Sequence, residues 1–529
     1  MPDQLSNLRY VRKPAISAKG GIVAAQSRIA AEIGAEVLTA GGDCVDALVA
    51  TSFALGVLEP WMSGVGGGGA MLLYRARENR TEVIDYGMRA PESLRVEEYP
   101  LTEGVASDIF PWARVKDDRN LQGPGSIAVP GVVAGMDEAH RRYARMPWKD
   151  LVAPSIRLAG EGLLIDWFAT VMISSAAADL RKYPASAAAY LVDGLPPNPP
   201  WGIRSTMRLP QDRLKATLAQ LAARGARDFY QGDLAQAIAA DMREAGGTLG
   251  ASDLASFRAH VREPLKIPYR NGTVFATPEL TAGPTLAHAL SHLQNDLRPG
   301  SEPEASHYAA YAHAIQSAYR ERLKGMGDAD GKRALGAEAI APACTTHFSV
   351  VDREGNMAAV TQTLLSSFGS RYVLPQSGIT MNNGIMWFDP MPGGPNSLAP
   401  GKRCLTNYTP VLALAGDGRR LALGASGGRR ILPAVMQMLS FLIDFGMDLD
   451  AAIHQPRIDA SEGAVVIGDV RLKSEIQAAL RAAFDYEDAH VQTLPGKFAC
   501  PSIVLRQGEV NFGAVDPAQP WGDPVTERW

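Results

Sequence analysis

Cysteine is scarce in this chain: four residues in 529, at positions 44, 344, 404 and 500, with no CxxC pair. A disulfide framework or a zinc ribbon is therefore not expected, and a reducing compartment is permitted. Charge of one sign is lacking too. Lys plus Arg number 52 against 56 Asp plus Glu, for a formal charge of −4, and no basic block occurs. Nucleic acid is not the expected partner of such a surface. No run reaches the roughly 18–20 apolar residues of a spanning helix. The opening MPDQLSNLRYVRKPAISAKGG carries four basic residues and no apolar core, so no secretory signal is read there and a cytoplasmic location is expected. Fixed-period repeats and low-complexity tracts are missing as well. What is present is ample apolar content, 46%, with 20% charged residues, which excludes a disordered or fibrous chain. The length exceeds one ordinary domain of roughly 100–200 residues. Glycine (52) and proline (36) are abundant, and they cluster.

Along the chain, residues 24–58 read as two Ala-rich helices with a break at Gly41-Gly42. Ser63-Gly64-Val65-Gly66-Gly67-Gly68-Gly69 follows, then the strand-like runs AMLLYRAR and TEVIDY. Residues 123–136 form a second Gly/Pro island, and 150–260 are largely helical. Strand signal returns at KIPYRNGTVFATP, and helices resume over 308–324. Residues 325–344 are small and polar and read as an exposed connector. Next come two strands around Asp352-Arg353-Glu354-Gly355-Asn356, a hairpin pattern. Pairing Val351 with Met357 carries Thr345 opposite Thr363. Segregated helices and strands of this kind predict an α+β layered fold.

Three signals have bland explanations. Gly64 to Gly69 spells GxGxxG, but a helix precedes it and a strand follows, the reverse of a dinucleotide site. His288 and His292 share a helix face, yet Ala289 stands where a zincin requires Glu, so no metal is expected. Tyr319-Arg320-Glu321-Arg322 reads as a solvated, salt-bridged helical turn.

Thr345 is the residue that points to chemistry. It follows the connector, opens a strand and faces a second hydroxyl. A threonine at a chain N-terminus has its own α-amine, with a pKa of about 8, as base. Cutting the Cys344–Thr345 bond would create that arrangement. Downstream, Gly424-Ala425-Ser426-Gly427-Gly428 ends a strand and precedes a helix, a place where adjacent N–H groups can form an oxyanion hole.

The run TTHFSVVDREGNMAAVTQTLLSSFGS resembles the start of the small subunit in the gamma-glutamyltransferase family of N-terminal-nucleophile hydrolases. The resemblance extends through GGDCVDALVATSFALGVLEPWMSGVGGGGAMLLY, AVPGVVAGM, FYQGDLAQAIAADMREAGGTLGASDLASF, GITMNNGIMWFD, PGKRCLTNYTPVL, GASGGRRI and GAVDP, in the family's order. It implies an αββα four-layer sandwich made as a precursor, with residues 1–344 as large subunit and 345–529 as small subunit. It implies Thr345 as nucleophile, Cys344–Thr345 as the self-cleaved bond and Thr363 as the threonine that hydrogen-bonds the nucleophile. Gly427 and Gly428 match the oxyanion pair, and Thr406 and Asn407 match the two serines that contact the glutamyl carboxylate. No metal or organic cofactor is expected; the partners are a small amide substrate and the two subunits themselves, with a higher oligomer left open.

The acyl site departs from the family pattern. In Asp85-Tyr86-Gly87-Met88-Arg89-Ala90-Pro91, Gly87 stands where the carboxylate-binding arginine belongs, and Arg89 lies two residues on. Leu365 replaces an asparagine, and Gly384 and Trp387 replace the glutamine and the aspartate of the NN-motif. Without that aspartate a buried substrate ammonium has no partner, at a cost of roughly several kcal/mol. The expected substrate is a small carboxylated amide, oxamate-like or glutaryl-like, without the α-amino head. A true γ-glutamyl hydrolase or transferase is the alternative, and an unprocessed non-enzymatic scaffold is the alternative of another class.

Overall fold

Period-two alternation of apolar residues sets the layers of this protein. The structure, a computed structural model, describes residues 11–106, 112–200, 206–327, 343–490 and 496–528. Two seven-stranded antiparallel sheets dominate it. In chain order their strands are β1 (Ile16–Ala18), β2 (Ile22–Ala25), β3 (Gly68–Arg75), β4 (Arg80–Tyr86), β5 (His260–Arg262), β6 (Leu265–Tyr269) and β7 (Gly272–Ala276). They continue with β8 (Ala343–Val351), β9 (Met357–Ser366), β10 (Val411–Leu414), β11 (Arg420–Ser426), β12 (Cys500–Gln507), β13 (Val510–Val515) and β14 (Asp523–Thr526). One sheet runs β14-β2-β8-β9-β3-β4-β5, the other β1-β13-β12-β11-β10-β7-β6.

In the first sheet Val23, Ala25, Met71, Leu73, Phe348, Val350 and Val360 face helices α1 (Arg28–Thr39), α2 (Cys44–Leu58) and α3 (Val132–Tyr143). Their alternates Ile22, Ala24, Leu72, Val351, Met357 and Ala359 meet Leu412, Ala422, Val504 and Val515 of the second sheet. The outer face of that sheet, with Val411, Leu421, Leu423 and Ile503, packs on α4 (Gly283–Asp296), α5 (Ala305–Gly325) and α6 (Ile431–Ile443). The order is helix, sheet, sheet, helix: the αββα sandwich. No helix among the described residues is long and apolar enough to cross a membrane.

The expected helix pair is present, with one correction. Ala24 and Ala25 belong to β2, drawn there by pairing with Ser349 and Phe348, and the first helix begins at Arg28. The Gly41 break is real. Gly41 sits at φ +93°, and Asp43 then caps α2 by accepting from Val45 N at 2.8 Å. Most of the expected connector, residues 328–342, lies outside the described residues. Its last residue is not exposed, because Cys344 is buried within β8.

The Gly-rich run is dictated by close backbone approach. A Cβ on Gly67 would lie 2.4 Å from the Thr363 carbonyl oxygen, and one on Gly69 equally close to that of Thr361. Between the sheets one strip is polar. His347 is fully buried, 2.9 Å from Thr361 Oγ1 and 3.0 Å from Ser349 Oγ, and Ser349 donates to the Ser502 carbonyl of the second sheet. The ring lies against Gly424, where a Cβ would sit 2.4 Å from Cε1.

Burial lowers the His347 pKa to about 3, so the folded protein holds the neutral ring. The unfolded chain takes up a proton near pH 6.5, and stability is therefore lost as pH falls below that value, by about 1 kcal/mol per pH unit down to about 3. Urea midpoints measured at pH 7 and pH 5 are expected to fall less for His347→Gln than for the wild type. Parallel decreases would show that His347 does not titrate on unfolding.

Candidate active site

The hairpin of β8 and β9 keeps one-to-one register from Val351↔Met357 to Thr346↔Gln362, then shifts so that Cys344 pairs with Leu365. Thr363 and Leu364 thus oppose the single Thr345, a β-bulge that re-aims the side chains around it. The backbone pairing predicted for Thr345 and Thr363 is displaced by this bulge, yet their hydroxyls meet: Thr345 Oγ1 donates to Thr363 Oγ1 at 3.3 Å. Thr363 in turn donates to the Cys344 carbonyl oxygen and accepts from Leu365 N at 2.8 Å. Leu365 takes φ +89°, a strained value for a branched side chain, and this conformation aims its N–H at Thr363. The candidate nucleophile is 5% exposed.

On the opposite face of β8, Thr346 Oγ1 donates to Glu59 Oε2 at 3.3 Å. Glu59 is fully buried, and its Oε1 has no partner among the described residues. Burial raises its pKa to about 8, so a neutral carboxylic acid lies one residue from the candidate scissile bond.

Gly427 and Gly428 follow β11 at φ +138° and +61°, and a Cβ on Gly427 would strike Ala499 at 2.8 Å. Glycine is required at the first position and favoured at the second. They open a 3-10 turn, Gly428–Arg430, that packs against β8 and runs into α6. The first N–H groups of such a turn have no intrahelical acceptor, as an oxyanion site requires. The run from Gly424 to Gly428 also spells GxSxG, the pattern of a serine-hydrolase elbow. Ser426 Oγ accepts from Gln26 Nε2, and no histidine bonds to it among the described residues, so its glycines and not its serine carry the candidate chemistry.

A cleft of about 310 Å³, whose lining does not itself include Thr345, Thr363, Gly427 or Gly428, is bounded by residues that include Asp85, Gly87, Met88, Arg89, Arg258, Arg403 and Thr406. Met88 connects it to the hairpin, for it packs on Gly68, the register partner of Thr363. Arg89 shares the cleft with Gly87, and its guanidinium donates to Ser256 Oγ at 2.7 Å. Leu365 and Trp387 are buried together in an apolar cluster with Met88 and Met386. Gly384 is packed tight; a Cβ there would lie 2.7 Å from that of Ala128. Asn382 and Asn383 hold backbone groups, including the carbonyl of Gly66 and the N–H of Ser366. Thr406 donates its hydroxyl proton to the Leu280 carbonyl at 3.1 Å. Asn407 keeps a buried amide nitrogen with no partner among the described residues.

Residues 30–344 and 332–522 match the gamma-glutamyltranspeptidase family. The chain belongs to that family. It is 32% identical over 498 residues to the acylase ACY 1 proenzyme of Pseudomonas sp. (strain SE83), covering 89% of this chain and 87% of that one. It is 30% identical over 492 residues to the glutathione hydrolase proenzyme of Bacillus subtilis (strain 168), covering 83% and 80%. The cephalosporin acylase of Bacillus halodurans shares its fold over the whole of both chains, with a TM-score of 0.85 at 24% identity. Family membership makes this chain an amide-bond hydrolase of the N-terminal-nucleophile type.

One expectation about the surface is overturned. Tyr319 and Arg322, read as part of a solvated turn, are each 4% exposed, whereas Arg320 and Glu321 are exposed. They continue the buried stripe Tyr308, Tyr311, Ile315 at three- and four-residue spacing, which the sequence displays. Burial lowers the Arg322 pKa to about 10, still charged at neutral pH. His288 and His292 are satisfied by each other and by Ser317, and no group of metal ligands occurs among the described residues.

Two outcomes are expected. Thr363→Val removes the donor to the Cys344 carbonyl and is expected to slow cleavage of the purified chain at least ~10-fold, the scale of about 1.4 kcal/mol per decade; Thr363→Ser should cleave nearly as fast as wild type. Equal rates on a denaturing gel for Val and Ser would remove Thr363 from processing. Glu59 has a folded pKa of about 8 against about 4 unfolded, so its contribution to stability is lost as pH rises between those values. Glu59→Gln is expected to raise Tm more at pH 8 than at pH 5, and a pH-independent difference would contradict the protonated carboxyl.

Proposed function

We propose that this chain is a self-processing threonine amidohydrolase that hydrolyses a small carboxylated amide through an acyl-enzyme on Thr345. The observation that carries the acyl specificity is the charge of the cleft. Arg89, Arg258 and Arg403 line it, Arg403 paired with Glu279 at 2.7 Å and Arg89 3.7 Å from Glu92 at its rim, and its lining carboxylate, Asp85, accepts from Gly87 N at 3.0 Å and lies 3.6 Å from Arg262. No lining acid is left for a substrate ammonium, and the aspartate position of the family is the buried Trp387. An anion without an α-amino head suits this lining, and an oxamate-like or glutaryl-like acyl group has that character.

Processing begins when Thr345 Oγ1 attacks the Cys344 carbonyl carbon, whose oxygen the Thr363 hydroxyl polarises. The acyl group moves from nitrogen to oxygen, and water hydrolyses the resulting ester. A carboxylate remains on Cys344 and a free amine on Thr345, dividing the precursor into residues 1–344 and 345–529. In turnover the amine takes the hydroxyl proton as Thr345 attacks the substrate amide. Gly427 and Gly428 N–H groups hold the oxyanion, the amine product leaves with a proton, and water releases the acid. The same acyl-enzyme would support acyl transfer if an amine replaced that water.

Purified wild type is expected to run on a denaturing gel as pieces of 344 and 185 residues, and Thr345→Ala as one uncut, inactive chain. Among anilides of oxamate, glutarate and γ-glutamate, the wild type should favour one of the first two by at least ~10-fold. The space around Gly87 is open, with only Asp85 Oδ1 near a Cβ there, so Gly87→Arg is expected to shift selectivity toward the γ-glutamyl anilide. Preference of the wild type for that anilide would instead establish the γ-glutamyl alternative, and an uncut wild-type chain would establish the scaffold.

A further inference from the structure

Helix α5 precedes the candidate scissile bond, yet its last turns reach the two loops that flank the acyl site. Tyr319 donates its hydroxyl to the Arg429 carbonyl within the glycine turn. Three residues on, on the same face, Arg322 Nη2 donates to Thr406 O at 2.6 Å and to Asn407 Oδ1 at 3.2 Å. Its Nη1 donates to Thr281 O at 2.9 Å and to Thr285 Oγ1 at 3.3 Å. All four oxygens are neutral, and Arg322 pairs with no carboxylate among the described residues. A guanidinium 4% exposed without a counter-charge is costly unless an anion arrives to share the site.

The bond to Asn407 Oδ1 also settles which way that amide faces. With its oxygen held on Arg322, its Nδ2 projects from the other arm and has no partner among the described residues, although Asn407 is only 4% exposed. The neighbouring Thr406 hydroxyl cannot offer its proton, which the Leu280 carbonyl accepts. The side-chain donor left in this loop is therefore Asn407 Nδ2, next in sequence to the cleft-lining Thr406.

We infer that Arg322 is a positioning residue of the acyl site, orienting the Asn407 amide as a donor and supplying the uncompensated positive charge that selects an anionic acyl group. This rests on the reading of Thr406–Asn407 as the acyl-carboxylate loop. Binding of oxamate and glutarate to the processed enzyme, measured by calorimetry, tests it without requiring turnover. Wild type should bind at least one of them, and Arg322→Gln should bind that anion at least ~10-fold more weakly while processing normally. In turnover Arg322→Gln should raise KM for the matching anilide with little change in kcat, and leave kcat/KM for neutral butyryl anilide within about threefold.

Equal loss on neutral and anionic substrates, unchanged anion affinity, or failure of wild type to bind either anion would overturn the inference. Should Arg322→Gln not fold, Asn407→Asp decides. It places a carboxylate on Arg322 and removes the donor, so Tm should rise while anion binding is lost; retained binding overturns the inference. A wild type that binds the anion but hydrolyses none of the amides would sink the proposed activity and leave the assignment of Arg322 standing.

Discussion

The Thr363 hydroxyl has a single proton, and the Cys344 carbonyl accepts it. From that follows the direction of every other bond around the bulge. Thr363 can only accept from Thr345 and from Leu365 N, so the Thr345 proton points at Thr363 and its lone pairs are left for attack. Had β8 and β9 kept their register to the end, Thr345 and Thr363 would have been ordinary cross-strand neighbours, with Cys344 carried past Thr363. The two-against-one bulge brings the Cys344 carbonyl, rather than its side chain, to that hydroxyl. The positive φ of Leu365 follows from the same demand, since its N–H must turn back toward residue 363.

Close approach around this hairpin explains where the glycines fall. Gly67 and Gly69 admit the carbonyls of β9 on one side, and Gly424 admits the His347 ring from between the sheets. An interface between two sheets tolerates polar groups best in mutually satisfied sets, and the Thr361–His347–Ser349 chain, which ends on the Ser502 carbonyl, is such a set, although the Ser502 hydroxyl has no partner among the described residues. The polar interior at this end of the sandwich is thus continuous with the candidate nucleophile, while the other end is apolar.

Local rules made much of this legible. The helix break at Gly41, the hairpin around Asp352–Asn356 and the glycine turn before α6 all follow from φ preferences and from period-two or period-3.6 patterning. The layered fold and the candidate nucleophile were within reach because long motifs occur in the family's order. The bulge was not, since register beyond a hairpin's first pairs depends on what the neighbouring strand β3 and the loop at Met62 impose. Glu59 and Arg322 were missed for another reason. Charged residues default to solvent, and although the spacing of Tyr308, Tyr311, Ile315 and Tyr319 points on to Arg322, its charge outweighs that signal when the sequence is read alone. Arg258 and Arg403 join Arg89 from segments far apart in sequence, and no local spacing announces such a cleft.

Sheet order explains how a single fold could survive a cut at its centre. Strands β8 and β9, which would head the small subunit, lie between β2 and β3 of the large one, and β14 closes the far side of β2. Each interface between the two pieces is therefore a full strand ladder within a buried sheet, repeated on both flanks. Breaking one peptide bond ahead of Thr345 removes none of those ladders. The bonds from Tyr319 and Arg322 cross the same boundary, from α5 ahead of the proposed cut to the glycine turn and the Thr406–Asn407 loop after it. After the proposed cut, a chain end released at Cys344 would leave both halves of the candidate acyl site held by these ladders and bonds.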